Sequence, residues 1–268
     1  MAASKGSRER SGWPWLAGIA GLLACAQAAA AFQVCVGDVP VPPFLSGDPK
    51  HPGTTERLMI DAGRRVGLDV ELLRWPARRC FEQMRLGKVE AGVGAAIAIN
   101  MQEFDFPGFP GFPGSPGGDP AMRVARAAIV LIKRRDAVVD WDGRQLEAPP
   151  GRQLRVGART GFRAAIEAVR RLGLELAPSS NQSLHVLRML QLDRLDLAIL
   201  VREEAQVLLA RPEFSDLVQM DPPLLTTDFY VMTIRQLPAG QRQQVQRWWE
   251  LMAQWRDLPA YQPTGIGP

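Results

Sequence analysis

The sequence predicts an α/β protein of two similar lobes facing each other across a crevice, rather than one long sheet. Three observations predict it. Part of the chain returns at a constant offset, and each copy switches between helical and strand periodicity. The 268 residues, 46% hydrophobic and 22% charged, hold apolar material for one large or two modest cores. The same figures exclude disorder over most of the length.

The chain opens with a basic start, an uncharged apolar run over 16–26, and small residues from Ala28 to Ala31. This is the pattern of an export signal that would leave Phe32 as the first mature residue. The run is too short, and too interrupted by Gly18 and Gly21, for the roughly 20 apolar residues of a membrane span. Leu22-Leu23-Ala24-Cys25 also fits a site at which lipoproteins are cut and acylated, so a lipid anchor at Cys25 is the alternative. The net charge is +4, and Lys5, Arg8 and Arg10 against Glu9 account for half of it. Nucleic acid is therefore not indicated as a partner. Cys35 and Cys80 then remain in an oxidising compartment, where such a pair normally closes as a disulfide. They lack metal-ligand spacing, and only His51 and His185 exist to help.

Arg64-Arg65-Val66-Gly67-Leu68-Asp69-Val70 returns as Arg170-Arg171-Leu172-Gly173-Leu174-Glu175-Leu176, residue 64 matching residue 170 at an offset of 106. Met84-Arg85-Leu86-Gly87-Lys88-Val89-Glu90 returns as Leu190-Gln191-Leu192-Asp193-Arg194-Leu195-Asp196 at the same offset of 106. Each copy reads as helix, glycine stop, strand, helix, turn, strand. Leu58, Ala62 and Val66 make one helical stripe, which Gly67 ends, and 70–73 starts a strand. Ala165, Val169 and Leu172 make the other, Gly173 stops it, and 196–201 is a short apolar run suited to a buried strand. Glu90 and Asp196, at matching positions, read as turn-ending residues that serve the fold. A first strand precedes each copy, over 34–37 and 154–157. A helix over 184–192 carries His185, and another over 241–256 ends the chain.

Residues 106–117 form four tandem x-Pro-Gly units, through which neither helix nor sheet can run. The tract reads as an exposed polyproline-like loop, or as a flap over the crevice using Phe109 or Phe112. Ligands in such sheets sit beyond the carboxyl ends of the strands, so 38–54 and 158–162 should face each other. That places Asp38, Phe44, Trp75, Arg79, Arg159, Thr160 and Gly161 in a candidate ligand set. Arg159-Thr160-Gly161-Phe162 follows a strand and opens a helix, whose N–H groups and positive end suit a carboxylate or phosphate. Arg78 and Arg79 open the helix bearing Cys80, where they either meet an anion or form a solvated face, and Trp75 either stacks on a ligand at the crevice wall or packs into the core, as strand-end tryptophans more often do.

The strand with Cys35, Pro40-Val41-Pro42-Pro43-Phe44, Gly53, Arg74-Trp75-Pro76 with Arg79-Cys80, Leu86 to Glu90, Trp141-Asp142-Gly143, the turn over 157–162 and the stretch 192–196 occur in a familiar order. In these motifs the chain resembles the periplasmic type II solute-binding proteins, family 3, of ABC transporters, over nearly all of its mature length. The resemblance implies a Venus-flytrap periplasmic-binding-protein fold with two hinge crossings, near Arg126 and Phe229. Lobe one would hold 32–125 and 229–268, and lobe two 126–228. It also implies a monomer in the periplasm that holds a small molecule by hinge closure and docks on a membrane permease, with no cofactor and no reaction chemistry.

Two departures bear on the ligand. Where amino-acid binders carry a carboxylate-holding arginine, this chain reads Asn100-Met101-Gln102-Glu103. Where they place an aspartate for the ammonium, it has Val201 and Arg202. The expected ligand is therefore a small anionic molecule rather than a standard α-amino acid. Two alternatives remain: a ligand-sensing partner of a membrane receptor, and a dehydratase on the same fold using Asp38 or Glu103 as acid or base. Triad and zinc-hydrolase motifs are absent from the sequence.

Overall fold

Every strand and helix of the lobes follows from where apolar side chains recur, and the first lobe shows the pattern plainly. A computed structural model of the chain describes residues 2, 31–108, 118–178 and 180–262. The export segment with Cys25, and Phe109 and Phe112 of the Pro-Gly tract, lie outside the described residues. β1 (Phe32–Gly37) leads into α1 (Thr54–Val66), whose Leu58, Met59 and Ala62 are buried. The Glu56 carboxylate accepts the Gly53 N–H at 2.7 Å and the Arg74 guanidinium at 2.8 Å. One acid thus caps the helix start and ties it to the next strand. Gly67, at φ 78°, supplies the left-handed residue that ends α1.

The chain continues through β2 (Val70–Trp75), α2 (Ala77–Arg85), β3 (Ala91–Ala95) and α3 (Ala98–Glu103). β4 (Ala125–Arg134) enters the second lobe, followed by the short pair β5 (Asp140–Trp141) and β6 (Leu146–Glu147). Then come β7 (Val156–Ala158), α4 (Arg163–Arg171), α5 (Ser183–Gln191), β8 (Leu197–Val201) and α6 (Arg202–Leu209). β9 (Leu217–Gln219) and β10 (Leu225–Thr233) lead back, and α7 (Ala239–Trp255) follows.

One core gathers β1, α1, α2, β3 and α7. Trp248 of α7 packs edge-on against Phe32, ring centres 5.6 Å apart, and donates its indole N–H to Met59 O at 2.9 Å. The C-terminal helix is thereby fastened to the N-terminal strand. The second lobe has a core on each face of its sheet. Leu197 and Ile199 of β8 point into one, and Ala198 and Leu200 into the other, as the two-residue period of a strand requires. That double burial is why this strand reads as an unbroken apolar run.

The sheet order β2-β1-β3-β10-β4-β8-β7, with β9 also on β4, corrects the expectation of two separate sheets. Within each lobe β1 pairs with β2 and β3, and β7 with β8, in parallel. β10 changes partner along its length. Its residues 225–229 pair antiparallel with β4, and 229–233 pair antiparallel with β3. A single long strand serves both lobes, so the hydrogen-bonded ladder never breaks while the sheet curls around a crevice. Cys35 and Cys80 are joined as a disulfide, Cα atoms 5.6 Å apart, linking β1 to the first turn of α2. Among the described residues no helix is long and apolar enough to cross a membrane.

Candidate functional site

The crevice narrows to a cavity of about 150 Å³ where the loop after β1 meets the turn between β7 and α4. Asp38, Phe44 and Phe81 line it from the first lobe, and Arg159, Thr160, Gly161 and Arg163 from the second. Ala125 of β4 and Phe229 of β10, register partners in the ladder, form part of the same wall. The rest of the surround is mostly small and apolar, including Val93, Ala95 and Val201. Val201, at the end of β8, thus brings a hydrocarbon face to the cavity wall.

The lobes touch at Gly161. Its φ is +84°, and a Cβ there would lie 3.0 Å from the backbone N of Arg78. Glycine is required twice over, by the left-handed turn and by the close approach of α2. One residue beyond the predicted anion turn, Arg163 reaches across the crevice. Its Nη1 donates to Asn100 Oδ1 at 2.7 Å and Glu103 Oε2 at 2.9 Å, and its guanidinium sits 4.0 Å above the Phe81 ring centre. Asn100 is fixed for this role by donating its own Nδ2–H to Ala95 O at 2.9 Å. The segment that lacked an arginine of its own is met by one from the opposite lobe.

Arg159 faces Glu204 Oε2 across 3.6 Å and lies over the Phe162 ring at 5.5 Å. Glu204 is 4% exposed. Burial pushes its carboxyl above the ordinary glutamate value, with Arg159 and Ser183 pulling the other way.

Of the predicted ligand set, Asp38, Phe44, Arg159, Thr160 and Gly161 come together around the cavity. Trp75 and Arg79 do not line it; they pair with each other, the guanidinium carbon 4.4 Å from the ring centre. The backbone at the α4 start is also less open than the motif suggested. The Thr160 N–H donates to Ser180 O, that of Phe162 to Arg159 O and that of Arg163 to Gly161 O, at 3.0, 3.0 and 2.9 Å. Polar recognition from this turn thus rests on side chains more than on those N–H groups. Sequence reasoning missed Arg163, Asn100 and Glu204 as site groups. The one available signal was the place of Arg163, directly after the Arg159–Phe162 turn and at the start of α4. Glu103 is ion-paired with Arg163 and with Arg85, while Asp38 is exposed at the end of β1.

No family model matches the chain, and no curated protein matches it. Solved structures do. A histidine kinase sensor domain with similarity to periplasmic binding proteins is 18% identical, with TM-score 0.61 over 85% of this chain and 91% of that one. The substrate-binding protein of an amino acid ABC transporter is 14% identical, with TM-score 0.62 over 85% and 94%. The amino acid ABC transporter substrate-binding protein AbpA from Streptococcus pneumoniae, bound to L-arginine, is 13% identical, with TM-score 0.61 over 86% and 91%. Identities this low carry the architecture and not the ligand: the chain has the two-lobed periplasmic-binding-protein fold.

Proposed function

We propose that the chain is an extracytoplasmic solute-binding protein of the family 3 kind, which captures a small anionic molecule between its lobes and presents it to the permease of an ABC transporter. The observation that carries this reading is one cavity lined from both lobes, with two arginines of the second lobe among its polar groups. A guanidinium has five N–H donors. The Asn100 and Glu103 bonds use only Nη1 of Arg163, and Arg159 meets Glu204 at 3.6 Å, so each keeps donors for a ligand oxygen. The apolar remainder of the wall suits a hydrocarbon body. Lobe one comprises 32–125 and 229–268 and lobe two 126–228; ligand contacts come from Asp38, Phe44, Arg159, Thr160, Gly161 and Arg163. The protein works as a monomer in the periplasm, where its disulfide is stable. The likeness to a histidine kinase sensor domain supports a second reading, in which the closed form docks on a membrane receptor. A neighbouring permease gene favours transport and a neighbouring sensor-kinase gene favours signalling.

A thermal-shift screen of organic acids, phosphates, amino acids and polyamines finds ligands by the rise in melting temperature that binding to the folded state produces. Arg159→Ala is expected to weaken binding of the best anionic hit by about 1.5–3 kcal/mol, roughly ten- to a hundredfold. Tight binding of a polyamine or a simple α-amino acid, unchanged in that variant, would overturn the anionic reading.

A further inference from the structure

Arg159 and Arg163 are the cations that line the cavity, and the carboxylate in its wall is Asp38, exposed at the rim. Each arginine already has an acid of its own outside the wall. Glu204 faces Arg159 across 3.6 Å, and Glu103 accepts from Arg163 at 2.9 Å, yet neither acid lines the cavity. The wall therefore presents N–H donors whose positive charge is already matched. Among the described residues, no donor nitrogen of either arginine is both sealed from solvent and unpaired, so the donors not used on Asn100 and Glu103 stay open. Arg78 and Arg79, exposed at the start of α2, line no part of the cavity. The larger part of the wall is hydrocarbon, from Phe44, Val93, Ala95, Ala127, Val201 and Phe229.

We infer that this cavity selects monoanions: its ligand is a small monocarboxylate with a hydrocarbon body, and dicarboxylates and phosphate monoesters are rejected. The inference rests on the anionic reading above and narrows it. A carboxylate matches the planar fork of a guanidinium, and hydrogen bonds act at contact distance, so an acid beyond each arginine does not prevent them. A second negative charge finds no unmatched cation. Set against the apolar wall it would be buried without a counter-charge, which costs far more than a missing hydrogen bond. A phosphate monoester carries about 1.5–2 negative charges at neutral pH and meets the same obstacle. The volume of about 150 Å³ is of the order that a six-carbon ring fills, which limits the hydrocarbon body to about six carbons.

The test is calorimetric titration of the full exported chain with straight and branched monocarboxylates of about four to seven carbons, a range set by that volume. Dicarboxylates of the same carbon number, alkyl phosphates and the uncharged amides of the same acids serve as comparisons. At least one monocarboxylate is expected to bind about ten- to a hundredfold more tightly than its dicarboxylate and phosphate counterparts. Glu204→Gln and Glu103→Gln each leave an arginine unmatched, so each narrows that gap by raising affinity for the dicarboxylate. Thermal melts confirm folding, and Glu103→Gln, at the less buried of the two acids, carries the test if Glu204→Gln unfolds. A dicarboxylate or phosphate that binds as tightly as the monocarboxylates, or a gap unchanged in the folded variants, overturns monoanion selection and leaves the anionic reading standing. Amides that bind as tightly as their acids, with Arg159→Ala silent, overturn both. No binding by any member at millimolar concentration overturns the inference and returns the anionic reading to the wider screen.

Discussion

The two copies of the repeat meet one backbone need with different reinforcement. In the first lobe the Glu90 carboxylate accepts the Gln33 N–H of β1 at 2.9 Å. In the second, Asp196, at the matching position, accepts the Arg155 N–H just before β7 at 2.8 Å. Each acid ties the turn before its lobe's later strand to the beginning of the first. Asp196 is also caged by side chains, with Arg155 Nε at 2.9 Å and Arg152 Nη2 in contact. Burial works to raise its carboxyl, and Arg155 and Arg152 more than reverse this, holding it well below the ordinary aspartate value. The first lobe has a covalent tie instead, from β1 to α2. A matched sequence position thus reports where the main chain needs an acceptor, and not what else secures it.

Removing the covalent tie should have the largest effect. A double Cys35→Ser, Cys80→Ser variant releases a loop with 45 residues of sequence separation and is expected to lose about 2–4 kcal/mol. For a chain of this size that is a fall in melting temperature of roughly 4–16 °C. Melts with and without reductant check it, since wild type in reductant should approach the variant. Unchanged stability would mean that lobe one is held by its packing alone.

Asp196→Ala comes next, at about 2–3 kcal/mol, because it strands the Arg155 N–H and removes the charge-assisted bonds from Arg155 and Arg152, whose half-exposed guanidinium groups turn to water. Glu90→Ala, which frees only one N–H, should cost about 1 kcal/mol. The acid side separates them further. The folded-state pKa of Asp196 lies below its ordinary 3.8, so its contribution is complete above that value and is lost as pH falls towards the folded one. The stability gap between wild type and Asp196→Ala should therefore hold from neutrality to about pH 4 and shrink below it. Denaturant melts across pH measure this, and equal costs for the two alanine variants would break the contrast.

The smallest effect is expected where the copies agree. Leu86 and Leu192, 59% and 65% exposed, occupy the same repeat position, so Leu86→Ser and Leu192→Ser should each fall within about 0.5 kcal/mol of wild type. A larger loss in one alone would reveal an asymmetry in packing, which paired melts would detect.

The parts of this molecule that were legible in the sequence are those fixed by local periodicity. The stripe of Leu58, Ala62 and Val66 lies on α1 as expected, the first two fully buried. The apolar run of β8 is buried at all five positions. The opposed loops were legible too, because strand ends dictate where a crevice opens. The bridging role of β10 was not, since nothing local in an extended strand announces a change of partner halfway along. Arg163 was missed for a similar reason: its partners Asn100 and Glu103 are 63 and 60 residues away. Glu204 looks like any acid in a first helical turn, and only the packing of Ser183 and Arg159 around it makes it unusual. Trp75 and Arg79 were misplaced because a strand-end aromatic one helical turn before a cation can satisfy that cation itself.

The clasp of Arg163 on Asn100 and Glu103 joins protein to protein, with no solute needed to complete it. On the solute-binding reading proposed above, part of the work of closing is done in advance, and a bound molecule adds to a shut form that already has some standing population. Escape of a bound solute then has to wait for the clasp to open. Residence time is set by how often Arg163 leaves Glu103 as well as by the solute's own contacts. Because the Arg163 side chain is only 13% exposed and Glu103 22%, added salt should quicken release modestly, far less than it would for a surface ion pair.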